Sequence, residues 1–168
     1  GEAGGRGGAC VGRGGGWGGG TRAVHGAVRR RREPGGGFKQ VVYAAALEQG
    51  RSAGSTITGL KPGAVRAPEG VWIPRDGRVA EDDGMTLRAA LLESNNAAAV
   101  LLQQRVGSAP VLRLANDLGV HDQPDVPSLA LGSGLVTPLD LTAAYAVFPN
   151  LGSRGRPRPT PPVPAAAG

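Results

Sequence analysis

Between residues 38 and 152 the apolar positions recur at helical spacing, and most of the segments they mark carry recognisable ends. Phe38 to Glu48 (FKQVVYAAALE) predicts a helix with Phe38, Val42, Ala45 and Ala46 on one face and Gly50 placed to end it. Thr86 is positioned to cap a short helix through Glu93. Asn96 to Val106 predicts another helix, closed by Gly107, after which Ser108 is set to cap PVLRLANDL and Gly119 to stop it. The clearest start signal is Thr137-Pro138-Leu139-Asp140: a capping Thr, a Pro at the first helical position and an acid at the third, ahead of LTAAYAVF. Residues 51–85 are turn-rich, with Thr56 to Gly59 and Val71 to Pro74 as short strands. There is no internal repeat.

The flanks differ in kind. Residues 1–37 contain Gly-Gly-Gly at 14–16, 18–20 and 35–37 and four arginines at Arg29 to Arg32, and are expected to be low-complexity or disordered, because they offer little apolar surface to offset chain entropy. Residues 153–168 (SRGRPRPTPPVPAAAG) are Pro-rich and expected to be extended or disordered. The sequence thus divides into a globular zone at 38–152 and two biased ends. Aromatic residues make up 4% of the 168 positions, so a core must be built from Ala, Leu and Val.

Charge changes the picture less than its total suggests. The net +6 first points to a polyanion partner. Residues 1–37 hold seven Arg against Glu2 and Glu33, a net +5, leaving +1 for the other 131 residues. An Arg/Gly nucleic-acid binder is therefore the alternative reading, resting on Gly-Gly-Arg-Gly-Gly and Arg29 to Arg32. That tract occurs once and has only Trp17 as a stacking ring, so nucleic acid is not the expected partner. Cys10 is the single cysteine, which excludes an internal disulfide. His25 and His121 form no metal motif, and no metal or cofactor is expected. No apolar run approaches bilayer length and no signal-peptide pattern is present; the first residue is Gly, so association with a membrane would run through an anchor upstream.

A family resemblance appears in the middle zone. MTLRAALLESNNAAAVLLQQRVG, then VLRLANDLGV, then PSLALGSGLVTPLDLTAAYAVFPNLG, resembles the transpeptidase domain of class A penicillin-binding proteins. Upstream, EPGGGFKQVVYAAALEQG is similar to that family's nucleophile helix, written Pro-Gly-Ser-x-Phe-Lys-Pro before an alanine-rich helix, and Trp72-Ile73-Pro74 fits the segment between. The resemblance covers roughly residues 33–152. It implies an α+β fold, a partial penicillin-binding/serine β-lactamase-like transpeptidase domain, mostly its helical part, with an incomplete central sheet. It also implies acyl transfer on peptidoglycan stem peptides, with β-lactams as substrate mimics, on the extracytoplasmic side of the bacterial inner membrane. A glycosyltransferase domain usually accompanies such a domain, and no trace of one is found in this sequence.

By that resemblance, three elements make the site. A Ser at the start of a helix attacks the acyl carbonyl, and a Lys three residues later activates it; the i, i+3 spacing sets both side chains on one helix face. The aligned tetrad is Gly36-Gly37-Phe38-Lys39, so Lys39 is present and the nucleophile position is Gly36. The second element, Ser-x-Asn, is Ser94-Asn95-Asn96, with Ser94 relaying protons and Asn96 holding the substrate amide. The third, Lys-Thr/Ser-Gly, has no match; the only other lysine, in Lys61-Pro62-Gly63, lies too early. The resemblance thus implies a family member that does not turn over. Blander readings stand beside these: Lys39 as a surface lysine after a Gly turn, and Asn95 or Asn96 as a plain helix cap. Asp82-Asp83 reads as a solvated pair, Asp117, Asp122 and Asp125 lack ligand spacing, and Tyr43 and Phe38 read as core.

Overall fold

The computed structural model describes residues 26–61, 65–67, 70–72, 82–155 and 157. In chain order the helices are α1 (Gly26–Arg29), α2 (Lys39–Glu48), α3 (Leu87–Leu92), α4 (Asn96–Val106), α5 (Ser108–Asp117) and α6 (Pro138–Tyr145). The strands are β1 (Thr56–Thr58), β2 (Val65–Ala67), β3 (Gly70–Trp72) and β4 (Gly84–Thr86). Two 3₁₀ turns, Gly35–Phe38 and Pro127–Leu131, complete the set. The fold is α+β. Its strands pair antiparallel as two separate ribbons, β1 with β4 in the register Ile57 opposite Met85, and β2 with β3 in the register Arg66 opposite Val71. Among the described residues no helix is long and apolar enough to cross a membrane.

The core is made of small and branched side chains. Phe38, Val42, Ala45 and Ala46 are all buried, as the helical spacing predicts, and so are Val41 and Tyr43. Helix α2 is therefore apolar on more than one face, which suits a helix packed against α4, α5 and both 3₁₀ turns. Helix α4 buries Ala97, Ala98, Ala99, Val100 and Leu102; its alanines carry no bulk beyond Cβ, which lets its neighbours approach closely.

Local signals account for most of the boundaries. The Thr86 hydroxyl accepts the Ala89 N–H at 3.2 Å and the Asn95 side-chain oxygen accepts the Ala98 N–H at 2.8 Å, capping α3 and α4. Thr137 accepts the Asp140 N–H at 3.1 Å and donates to its carboxylate at 2.6 Å, closing the start of α6 on both sides. Ser108 behaves differently from the expectation. It is the first residue of α5, while Gly107, at φ +88°, turns the chain directly from one helix into the next and leaves the serine no extended capping position. Asp82 and Asp83 are both exposed, as a solvated pair should be, and the Asp83 carboxylate also accepts the backbone N–H groups of Gly59 at 3.3 Å and Lys61 at 3.0 Å, fastening the exit of β1.

Ordered structure reaches beyond the expected globular zone on both sides. Helix α1 and the first 3₁₀ turn lie before residue 38, and Arg32 forms an antiparallel bridge with Val136. Past residue 152, Arg154 donates to the Asp117 carbonyl at 3.2 Å at the end of α5. Residues 1–25, most of the Pro-rich end, and Ile73-Pro74 of the second expected strand lie outside the described residues.

Candidate active site

The site forms where the first 3₁₀ turn runs into α2. Pro34 restricts the chain entering the turn, and the Lys39 N–H bonds back to the Gly36 carbonyl, closing the turn on itself. Lys39 is then the first residue of α2, yet its side chain is only 3% exposed. A lysine is seldom buried without partners, and this one has them. Its Nζ lies 2.9 Å from the Ser94 hydroxyl, 2.5 Å from the Ser94 carbonyl oxygen and 2.5 Å from the Asn96 side-chain oxygen. The surface-lysine reading of Lys39 is thereby excluded.

Ser94 and Asn96 reach that point from the α3–α4 junction. Three helices of this chain end in the same double hydrogen bond. After α2, Gly50 N–H bonds to Leu47 O and Arg51 N–H to Ala46 O; after α5, Gly119 N–H bonds to Asn116 O and Val120 N–H to Ala115 O. After α3, Ser94 N–H bonds to Leu91 O and Asn95 N–H to Ala90 O. This motif requires a left-handed residue, normally glycine. Gly50 and Gly119 supply it at φ +86° and +89°, but the α3 end uses Ser94 at φ +55°. A serine held there carries backbone strain of order 1–3 kcal/mol. Of the two asparagines, Asn95 is the cap of α4, and Asn96, one residue on, turns its amide oxygen to Lys39.

Gly36 faces this group. A Cβ placed on Gly36 meets only Ser94 Oγ within 4 Å outside its chain neighbours, at 3.8 Å, and its φ is not in the left-handed region. The four residues picked out in the sequence, Gly36, Lys39, Ser94 and Asn96, therefore converge on one point. The position of residue 36 has room for a side chain and carries none.

Two further residues hold the turn and carried no chemical signal in the sequence. The Tyr145 hydroxyl, from the end of α6, lies 2.6 Å from the Gly37 carbonyl oxygen and 2.6 Å from the Gln40 side-chain oxygen. One hydroxyl proton serves only one of these acceptors, and turning the Gln40 amide over lets it donate to Tyr145 instead. Partial burial raises the Tyr145 pKa, so it remains a donor at neutral pH. Gly132, at φ +76°, lies directly against the Gly35 backbone, and a Cβ there would sit 2.5 Å from Gly35 N and 2.7 Å from its carbonyl carbon. Each is an ordinary loop or helix residue until the fold brings it to the turn.

The site is thus a lysine buried at the first turn of α2 and hydrogen-bonded to a Ser-x-Asn tripeptide, with Gly36 facing them. The sequence matches the penicillin binding protein transpeptidase domain over residues 18–161, and the chain belongs to that family. It is 42% identical over 132 residues to penicillin-binding protein 1A of Aquifex aeolicus, an alignment that covers 78% of this chain and 18% of that protein. It is 33% identical over 140 residues to penicillin-binding protein 1A of Neisseria gonorrhoeae, covering 80% and 17%. The chain thus spans about a fifth of the length of the curated relatives it matches. Among solved structures it resembles penicillin-binding protein 1A from Haemophilus influenzae, with TM-score 0.66 and 30% identity, over 74% of this chain and 19% of that one. Its fold also follows penicillin-binding protein A from M. tuberculosis, solved as a penicillin G acyl-enzyme complex, with TM-score 0.70 and 23% identity over 80% and 36% of the two chains.

Proposed function

We propose that this chain carries the acyl-donor site of a peptidoglycan cross-linking transpeptidase and that it performs no cross-linking turnover itself. Its ligands on this reading are stem peptides ending in D-amino acids and the β-lactams that mimic them, met on the outer side of the cytoplasmic membrane. The observation that carries the reading is the convergence of Lys39, Ser94 and Asn96 on the face of residue 36. Lys39 and Ser94 move protons, and the Asn96 amide holds the donor's peptide group. Turnover needs a hydroxyl at residue 36 to carry the acyl chain between donor and acceptor, and glycine has none.

The test is release of free D-alanine from a pentapeptide ending D-alanyl-D-alanine, followed over many equivalents of peptide per chain. The expected result is no release above peptide alone. Sustained release beyond one equivalent overturns the proposal.

A further inference from the structure

We infer that Ser94 has become the acyl acceptor of this chain: it takes one acyl group, in a single event without turnover, from a strained or activated amide such as a β-lactam. The inference rests on the reading of the site just given and concerns a residue to which the family pattern assigns only proton relay. With glycine at residue 36, that relay has no nucleophile to serve.

Four observations point to Ser94. Ser94 is an exposed residue, whereas Lys39 beside it is buried, so of the two it is Ser94 that an incoming molecule can reach. Its Oγ borders the position that a side chain at residue 36 would fill, 3.8 Å from a Cβ placed there, with no other atom outside the neighbouring residues within 4 Å. The residue occupies a left-handed helix terminus where α2 and α5 use glycine, so the chain keeps a hydroxyl at a position whose backbone favours having no side chain. Such outliers gather at functional sites.

The fourth observation is the distance between the two groups. Lys39 Nζ lies 2.9 Å from the Ser94 hydroxyl, close enough for a proton to pass between them directly once the amine is in its neutral form.

The step balances within the site. Ser94 Oγ attacks the lactam carbonyl carbon and a C–O bond forms, while the hydroxyl proton passes to Lys39 Nζ. The lactam C–N bond breaks as its electron pair returns to nitrogen, and that nitrogen takes the proton from Lys39. The product is an ester on Ser94 bearing the opened ring, with Lys39 neutral again. No further reactant is consumed.

The full chain, Ser94→Gly and Gly36→Ser would each be incubated with excess fluorescent penicillin and analysed by intact mass and peptide mapping. The expected result is one adduct per parent chain, mapped to Ser94, and at least a tenfold fall in labelling for Ser94→Gly. Because φ +55° suits glycine, that variant should melt no lower than the parent, which separates lost chemistry from lost fold. An adduct on any other residue overturns the inference, as does labelling unchanged in Ser94→Gly. So does an unlabelled parent beside a Gly36→Ser variant that labels, and in that case the reading of the site stands. Failure of both parent and Gly36→Ser to label overturns the site reading as well.

Discussion

Replacing Gly132 by alanine tests the way the candidate site is held. The residue sits at φ +76°, and a Cβ there would overlap the backbone of Gly35. Two costs combine. Left-handed backbone disfavours alanine by about 1–2 kcal/mol. Relieving the overlap means separating the two 3₁₀ turns, since a backbone cannot rotate aside as a side chain can, and forced repacking of this kind costs about 1–3 kcal/mol. The sum is about 2–5 kcal/mol, which for a domain of this size lowers the melting temperature by roughly 10 °C. Gly50 provides the control: its φ of +86° is similar, but a Cβ there meets nothing within 4 Å. Gly50→Ala should lose only the conformational part, about 1–2 kcal/mol. Urea unfolding followed by circular dichroism measures both. If the two variants were equally stable, the close approach of Gly132 to Gly35 would not be a structural constraint, and the account of how residues 35–39 are positioned would fail.

Two further predictions concern stability. Thr137→Ala removes the hydroxyl that both caps α6 and bonds the Asp140 carboxylate, and should cost about 1–2 kcal/mol in urea unfolding, with Thr137→Ser restoring most of it; no change would show that the helix start is held by its Pro alone. The Tyr43 hydroxyl is buried without a hydrogen-bond partner among the described residues, and burial pushes its pKa up to about 12 from 10.0. Its proton stays on in the folded chain while the unfolded chain releases it, so the stability this contributes is intact below pH 10 and is lost as pH rises from 10 toward 12, by roughly 1–2 kcal/mol. Tyr43→Phe should be neutral or stabilising by about 1 kcal/mol at pH 7, because an unsatisfied buried hydroxyl is removed, and should flatten that alkaline decline. An unchanged alkaline slope would contradict it.

Much of the site was legible in the sequence because its residues lie in short, locally ordered strings. Gly36 and Lys39 fall within one turn, Ser94 and Asn96 flank one helix start, and the caps at Thr86 and Thr137 act on N–H groups three residues away. What stayed hidden depends on distance along the chain. Gly132 looks like any loop glycine, and Tyr145 like one more apolar-face residue of α6, until packing brings both to the 35–38 turn. The strand at Val65–Ala67 is three residues long, too short for an alternating pattern to register. Ser108 was misread for a related reason: a capping residue is only a cap if the preceding backbone leaves it extended, and Gly107 does not. The use of serine at the end of α3, where two other helices use glycine, is visible in the sequence only to a reader who already knows where α3 stops.

The bridge between Arg32 and Val136, together with the Tyr145 bond to Gly37 across 108 positions, has a consequence for how the molecule is made. A nascent chain that has emerged only as far as α4 already contains Gly36, Lys39, Ser94 and Asn96, but not the partners that fasten the start of α2. Closing so long a loop is entropically costly and slow compared with forming the helices themselves. The helices should therefore form first and the reactive corner last, so that its geometry is completed only once α6 has been synthesised and docked.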